Sequence, residues 1–147
     1  MQNLNYGVIG NCSTAALISE KGAIEWLCFP EFDSPSVFAA ILDRQKGGHF
    51  GFKVTSDYKV TQSYVPHTNI LSTHFESEEG AFDVVDFMPC YPTSDGKDFY
   101  RPAEIYRYIR WAKGRPRMKV DYRPAPNYAR GKTIYNEIGR ASCRERV

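Results

Sequence analysis

The run from Gly22 to Asp43, GAIEWLCFPEFDSPSVFAAILD, constrains the fold of this 147-residue chain more than any other segment. Its first part alternates residue by residue, and this period of two predicts a strand over Ala23–Phe29 whose two faces both contact apolar surroundings. Pro30 has no N–H group to donate to a sheet, so the strand ends there. The chain therefore contains at least one buried strand that stops at a proline.

The second part of the run predicts one short helix. Asp33 or Ser34 can cap it, and Pro35 fits the first helical position, where a missing N–H costs nothing. Four apolar residues then fall on one side of the helix, namely Val37, Phe38, Ile41 and Leu42.

Short segments that alternate between apolar and polar residues recur along the rest of the chain. They are Tyr6–Ile9, Thr14–Ser19, His49–Val54, Tyr58–Tyr64, Leu71–Phe75, Phe82–Met88, Glu104–Trp111 and Arg117–Tyr122. Tyr91–Tyr100 is polar and rich in turn residues, which predicts a loop, and a further strand is expected after Pro124. Many short strands with one helix predict an all-β domain and favour an antiparallel β-sandwich.

Composition narrows the function classes. Hydrophobic residues make up 42% and charged residues 24%, as in soluble globular proteins, and the net charge of +2 is too small to indicate nucleic acid or an anionic membrane. No stretch reaches the ~20 apolar residues that cross a bilayer. Cys12, Cys28 and Cys90 lack the spacing of a disulfide framework and are expected to be small buried residues, which favours the cytoplasm. The scattered histidines predict no metal site, and no cofactor-binding motif is present.

Four blocks in order resemble the N-terminal, trehalase-like domain of glycoside hydrolase family 15. They are YGVIGNCSTAALIS followed by the Gly22–Asp43 run, TNILSTHFESEEGAFDVVDFMP, EIYRYIRWAKG and VDYRPAPNYARG. The resemblance covers the chain from Tyr6 to about Tyr135. It implies a β-sandwich that precedes a large barrel of paired helices in a two-domain enzyme.

The resemblance also implies what the chain lacks. Members of the family are inverting α-glycosidases whose two catalytic glutamates lie in the helical barrel, and nothing here matches the barrel motifs. No catalytic residue is therefore assigned. The expected partner is a C-terminal helical-barrel catalytic domain, and the expected substrate of the whole enzyme is trehalose, a maltooligosaccharide or a related α-glucan. A free-standing carbohydrate-binding or scaffold sandwich is the alternative.

The segment Glu31-Phe32-Asp33 is the candidate substrate-binding site. Its irregular backbone and its aromatic residue suggest a loop that reaches the barrel and contacts the sugar. Two other roles remain open. Glu31 and Asp33 could form a carboxylate pair in extended backbone, or Asp33 could cap the helix while Glu31 is solvated.

Aromatic and basic residues offer a second class of binding surface. Burial in the core is the favoured prediction for Trp26 and Trp111, with a partly exposed sugar platform as the alternative for Trp111. Arginines interleave with aromatic residues in the C-terminal third, and salt bridges to a partner domain are preferred over a nucleic-acid stripe.

Residues 137–147, EIGRASCRERV, resemble a translated sequencing-library adapter and are set apart from the fold. The expected domain thus spans residues 1–136, followed by a non-native tail, and the natural gene is expected to continue.

Overall fold

A computed structural model describes residues 4–55 and 57–130. Within these residues the structure contains twelve strands and no helix. In chain order the strands are β1 (Tyr6–Gly10), β2 (Ala15–Ser19), β3 (Ile24–Cys28), β4 (Ser36–Phe38), β5 (His49–Lys53), β6 (Lys59–Tyr64), β7 (Leu71–Glu76), β8 (Gly80–Phe87), β9 (Tyr91–Pro92), β10 (Phe99–Tyr100), β11 (Tyr106–Gly114) and β12 (Lys119–Arg123).

The strands form two main sheets in which neighbouring strands are antiparallel. The first sheet has the order β1-β2-β3-β5-β12, with β4 added to β3, and the second has the order β11-β8-β7-β6. β9 and β10 form a separate two-stranded hairpin. The predicted antiparallel β-sandwich is therefore confirmed, and most of its strands lie where the alternating segments predicted them.

The core lies between the two sheets because each sheet turns its apolar side inward. Ile9, Ile18 and Ile24 of the first sheet pack with Leu71 of the second in one buried cluster. Phe75 and Phe82, on neighbouring strands, form a second cluster in which the two rings stack with centroids 4.6 Å apart. Aromatic and β-branched pairs of this kind across adjacent strands stabilise a sheet.

A buried arginine, ion-paired within its own sheet, links the two sheets. Arg107 of β11 binds Asp86 of β8 through two contacts, of 2.7 and 3.0 Å, and both side chains are almost completely buried. The same guanidinium donates to the backbone carbonyls of Phe50 in β5 and Gly22 before β3. It also lies over the rings of Phe50 and Phe52, 4.8 and 5.0 Å from their centroids. Arg107 therefore connects an outer strand of one sheet to the middle of the other.

The predicted helix after Pro35 is wrong. Ser36–Phe38 forms β4 instead, with Phe38 opposite Leu27 of β3, and turns follow. Beyond the strand, the Ala39 N–H donates to the Gly47 carbonyl at 2.6 Å, which closes a loop. Because β4 extends the ladder of a buried strand, this pairing outweighs the helical spacing of the apolar residues.

Three further expectations need correction. The predicted loop Tyr91–Tyr100 contains the β9–β10 hairpin, in which Tyr91 is paired with Tyr100. Among the described cysteines, Cys28 is buried but Cys12 and Cys90 are exposed, and all three are free thiols. The chain after Pro124 forms a turn up to Arg130, so no strand begins there. The rest of that expectation, and the tail of residues 137–147, lie outside the described residues.

No helix in the described part of the chain is long and apolar enough to cross a membrane.

Candidate functional site

Five connections gather at one end of the sandwich. The strand registers show this, since Gly10 pairs with Ala15, Tyr64 with Leu71, and Phe87 with Tyr106. These pairs place the connections 11–14, 65–70 and 88–105 at a common end, where β3 also leads into 29–35 and β12 into 124–130. We call this end the loop pole and define it by those five connections.

All five described non-glycine residues with a positive φ angle lie in the loop pole. They are Cys12, His67, Asn127, Tyr128 and Ala129, with φ between 53 and 70°. Side chains clash with the backbone in this region, so each such residue costs about 1–3 kcal/mol and persists only where its surroundings hold it. Strain of this kind clusters at functional sites, and here it is confined to one end of the molecule.

Three of these residues are consecutive and form a left-handed turn. Left-handed conformations normally occur at single residues, because each costs roughly 1–2 kcal/mol. The N–H groups of Asn127 and Tyr128 donate to the carbonyl and the hydroxyl oxygen of Ser36, at 2.8 and 3.0 Å. Ser36 is itself buried in β4. The turn is thus held against the strand that follows the 29–35 loop.

The turn also packs through its tyrosine. The Tyr128 ring lies 6.3 Å from the Trp26 ring, and its hydroxyl is 4.0 Å from the Cys28 thiol. The Arg130 guanidinium also lies over this ring, 6.0 Å from its centroid. Tyr128 nevertheless remains 41% exposed. This arrangement holds an exposed aromatic face in a fixed orientation.

The candidate residues Glu31, Phe32 and Asp33 lie together in the 29–35 loop, and all three are exposed. The loop begins at a cis peptide bond between Phe29 and Pro30. Its backbone is fixed at two points, because the Phe32 N–H donates to the Ser13 carbonyl at 3.0 Å and the Glu31 N–H donates to the Ser34 hydroxyl at 3.1 Å. The backbone is therefore anchored while the side chains face outward.

A buried asparagine ties the other connections together. Asn11 is 1% exposed, and its side-chain oxygen accepts from the N–H groups of Ser13 and Thr14 at 3.0 and 3.1 Å. Its amide nitrogen donates to the carbonyl of Pro102 at 3.1 Å. The Thr14 hydroxyl in turn donates to the Cys28 carbonyl at 2.5 Å. Asn11 thus links the 11–14 and 88–105 connections, and Thr14 links them to the end of β3.

The two carboxylates of the 29–35 loop lack the surroundings of a catalytic acid. A general acid for glycoside cleavage needs a desolvated carboxyl group, whereas Glu31 and Asp33 are both exposed. The cap role of Asp33 is excluded because no helix follows it. Among the described residues, no cluster of three or more histidine, cysteine or carboxylate side chains could hold a metal ion. At the 29–35 loop and the left-handed turn, the pole presents an exposed phenylalanine, a braced tyrosine and two carboxylates.

Comparison with known protein families gives a match over nearly the whole chain. The model described as "Trehalase-like, N-terminal" matches residues 5–138. The chain belongs to this family. The resemblance that the four sequence blocks carried is therefore confirmed, and the β-sandwich described above is the structure of a trehalase-like N-terminal domain.

Curated relatives of this family member are much longer. A trehalase of Thermoplasma volcanium is 36% identical over 132 residues, which is 88% of this chain but 20% of the relative. A trehalase of Mycolicibacterium smegmatis is 32% identical over 152 residues, and this match takes in 93% of this chain and 22% of the relative. Trehalase 1 of Sulfolobus acidocaldarius is 51% identical over 56% of the chain. The chain thus spans about a fifth of the length of its relatives. No solved structure matches it.

Sequence reasoning located the 29–35 loop but missed the left-handed turn and its contact with Ser36. The dipeptide Pro126-Asn127 was the available signal, because asparagine tolerates a positive φ and proline precedes many turns. Nothing in the types of Tyr128 and Ala129 predicts the same conformation. The favoured burial of Trp111 was also wrong, since this side chain is 65% exposed.

Proposed function

We propose that this chain is the non-catalytic N-terminal domain of a longer, cytoplasmic α-glycosidase that hydrolyses trehalose or a related α-glucoside with inversion. The catalytic glutamates would lie in a helical barrel that follows this domain. The observation that carries the proposal is the loop pole, which combines locally strained backbone, anchored loops and outward-facing side chains in a member of this family. Trehalose is preferred over maltooligosaccharides because the relatives described above are named trehalases.

In this proposal the sandwich contributes rigidity. Loops that contact a substrate lose less entropy on binding when a folded scaffold has already fixed their backbone. The hydrogen bonds of Asn11, Ser13 and Ser36 supply that fixation from two separate places, the connection 11–14 and strand β4. The domain would thereby hold Phe32 and Asp33 at the mouth of a sugar site that it does not itself contain.

The proposal is tested in the longer protein by replacing Phe32 with alanine and Asp33 with asparagine. Removing an aromatic contact worth about 0.5–1.5 kcal/mol should lower kcat/KM on trehalose by about two- to tenfold. Leu42→Ala is the matched control, because Leu42 is 68% and Phe32 62% exposed and Leu42 lies outside the loop pole. If kcat/KM and thermal stability are unchanged in both loop variants, the 29–35 loop has no part in the sugar site.

A second candidate is an independent carbohydrate-binding domain, which one observation favours. Tyr91, Phe99, Tyr100, Tyr106 and Tyr108 are each 47–62% exposed, and exposed aromatic rings can stack on sugars. Calorimetry of the isolated chain with maltoheptaose and with trehalose separates the two candidates. Binding by the isolated chain that is lost in Tyr108→Ala would favour the second candidate, whereas the proposed scaffold role requires no such binding.

A further inference from the structure

One flank of the sandwich is open. β11 is the outer strand of one sheet, and the side of it that should face the core is exposed. Ile109 and Trp111 lie opposite Val84 and Phe82, which are both fully buried, so all four point to the core side of the sheet. Yet Ile109 is 40% and Trp111 65% exposed. No strand of the first sheet covers them.

The outer strand of the other sheet shows the same feature on the same flank. Val120 and Tyr122 of β12 lie opposite Phe52 and Phe50, whose rings pack into the core. They are 50% and 52% exposed. Apolar side chains on the outer face of a sheet are ordinary, but apolar side chains on the core face indicate missing packing. We define the open flank by these four residues of the two outer strands, Ile109, Trp111, Val120 and Tyr122.

A cavity of about 320 Å³ adjoins the flank at Tyr122, which is one of its lining residues. Its other walls include Ile105, just before β11, and Ile24, Leu27 and Phe38 of the core. A cavity of this size accommodates a large apolar side chain or two small ones. The flank therefore offers a groove with a pocket that opens into the main core cluster.

The opposite flank is closed by a side-chain bridge, next to a cavity of about 280 Å³ that Tyr6 and Gly7 of β1 and Gln62 of β6 help to line. There the Tyr64 hydroxyl of β6 donates to the carbonyl of Val8 in β1 at 2.8 Å and accepts from its N–H at 2.7 Å. This bridge satisfies backbone groups on the outer strand β1 and joins the two sheets. On the open flank, Arg107 of β11 bridges to the Phe50 carbonyl of β5 near the start of the strand. Ile109 and Trp111 lie on the same face further along β11, beyond that bridge.

The chain around the open flank carries more basic than acidic residues. Between Tyr106 and Arg123 there are seven arginine or lysine residues and one acidic residue, Asp121. Three of these cations, Arg107, Arg110 and Lys113, are paired with carboxylates of the neighbouring strands β7 and β8. Asp121 already accepts from His49, Lys53 and Arg123 at 3.0, 3.1 and 2.8 Å. Arg117 is 3.9 Å from Glu79, and its side chain is 85% exposed. An occupant of the flank should thus combine an apolar centre with acidic residues at its border.

We infer that the open flank binds an apolar segment, bordered by acidic residues, from the C-terminal remainder of the same longer polypeptide. The relatives extend far beyond the matched region, so chain is available to cover the flank. The segment would pair with the edges of β11 and β12 that no described strand occupies, and it would insert an apolar side chain into the cavity. This inference rests on the proposed function in one respect, namely that this domain is followed by more chain.

Hydrogen exchange measured by mass spectrometry tests the inference. The longer protein and the present chain are compared at the same pH, and amide exchange is followed in peptides covering 106–123. The expected result is at least tenfold slower exchange of β11 and β12 in the longer protein. Peptides covering β1 and β6, on the closed flank, should exchange at equal rates in both. Equal exchange of β11 and β12 in the two proteins would overturn the inference.

A matched pair of variants separates a contact from general stability. Trp111 and Tyr108 are 65% and 62% exposed and lie on opposite faces of β11. In the present chain, Trp111→Asp and Tyr108→Asp should both leave the melting temperature nearly unchanged. In the longer protein, Trp111→Asp should abolish the protection of β11, whereas Tyr108→Asp should keep it.

Two other results would also contradict the inference. Identical exchange in the two variants of the longer protein would show that the core face of β11 makes no contact there. Protection of β11 that rises with concentration in the present chain alone would identify a second copy as the occupant. Hydrogen exchange is measured without substrate, whereas the proposed function is tested by hydrolysis. This inference can therefore fail while the proposed function stands.

Discussion

The buried pair of Arg107 and Asp86 supports the sharpest prediction for stability. The Arg107 and Asp86 side chains are 3% and 0% exposed. Arg107→Met keeps the volume but removes the charge, both contacts to Asp86 and the hydrogen bonds to the carbonyls of Phe50 and Gly22. Breaking a buried ion pair by removing one partner costs about 3–5 kcal/mol. We expect a loss near the middle of that range.

The assay is urea unfolding followed by circular dichroism. With an m-value of about 2 kcal/mol per molar urea, a loss of ~4 kcal/mol lowers the unfolding midpoint by about 2 M. The double variant Arg107→Met, Asp86→Leu removes both charges and should recover most of the lost free energy. Arg107→Lys retains the charge without the bidentate geometry and should fall between the wild type and Arg107→Met.

The deficit in unfolding free energy that Arg107→Met causes should also depend on pH. Burial raises the pKa of Asp86 even beside Arg107, which acts in the opposite direction, and removing Arg107 raises the pKa further. A carboxyl group whose folded-state pKa is raised binds its proton more tightly in the folded state, so the deficit is full at neutral pH and shrinks as the pH falls through that pKa. A loss below ~1 kcal/mol, or a double variant no more stable than the single one, would refute this account of the pair.

Three further changes have defined outcomes. Burial would raise the pKa of Asp121, but hydrogen bonds from neighbouring cations outweigh it and hold the pKa far below its ordinary value. The Asp121 carboxylate therefore stabilises the fold at neutral pH, and this contribution is lost as the pH falls below ~4, the ordinary pKa of an aspartate. Asp121→Asn should flatten the profile of unfolding free energy against pH below that value. Tyr64→Phe should cost about 1 kcal/mol in urea unfolding and speed amide exchange at Val8, and unchanged exchange there would contradict the bridge. Gly47→Ala places a Cβ atom 2.2 Å from the Ala39 carbonyl oxygen and should lower the free energy of unfolding by at least ~1 kcal/mol. A urea midpoint equal to that of the wild type would disprove this.

The sequence predicted the sandwich because its signal is local. Alternation along β2 and β7 appears directly in their burial, and a period of two survives any choice of neighbouring strand. The helix prediction failed because Val37 and Phe38 fit both a helical stripe and a strand. The choice between them depends on Leu27, ten or more positions away, which pairs with Phe38. Local spacing carries no information about that pairing.

The candidate site was predictable only in part, for a similar reason. The irregular residues between Pro30 and Pro35 identified the 29–35 loop. The turn at 127–129 depends on Ser36 accepting two N–H groups from a segment ninety residues further along the chain. The buried position of Arg107 likewise depends on Asp86 and on two carbonyls of the other sheet. A charged residue in an alternating segment gives no sign that groups far along the chain will satisfy its hydrogen bonds.

The central claim is that this sandwich supports a sugar site without containing the catalytic groups. Hydrolysis of trehalose by the purified chain, compared with a longer protein extended to the length of its relatives, tests it most directly. The account predicts glucose release by the longer protein, with the α- and β-anomers formed at first in equal amounts because only the attacked anomeric carbon inverts, and no release above background by the present chain. Glucose release that is proportional to the amount of the present chain, and that is lost in Asp33→Asn, would contradict the claim.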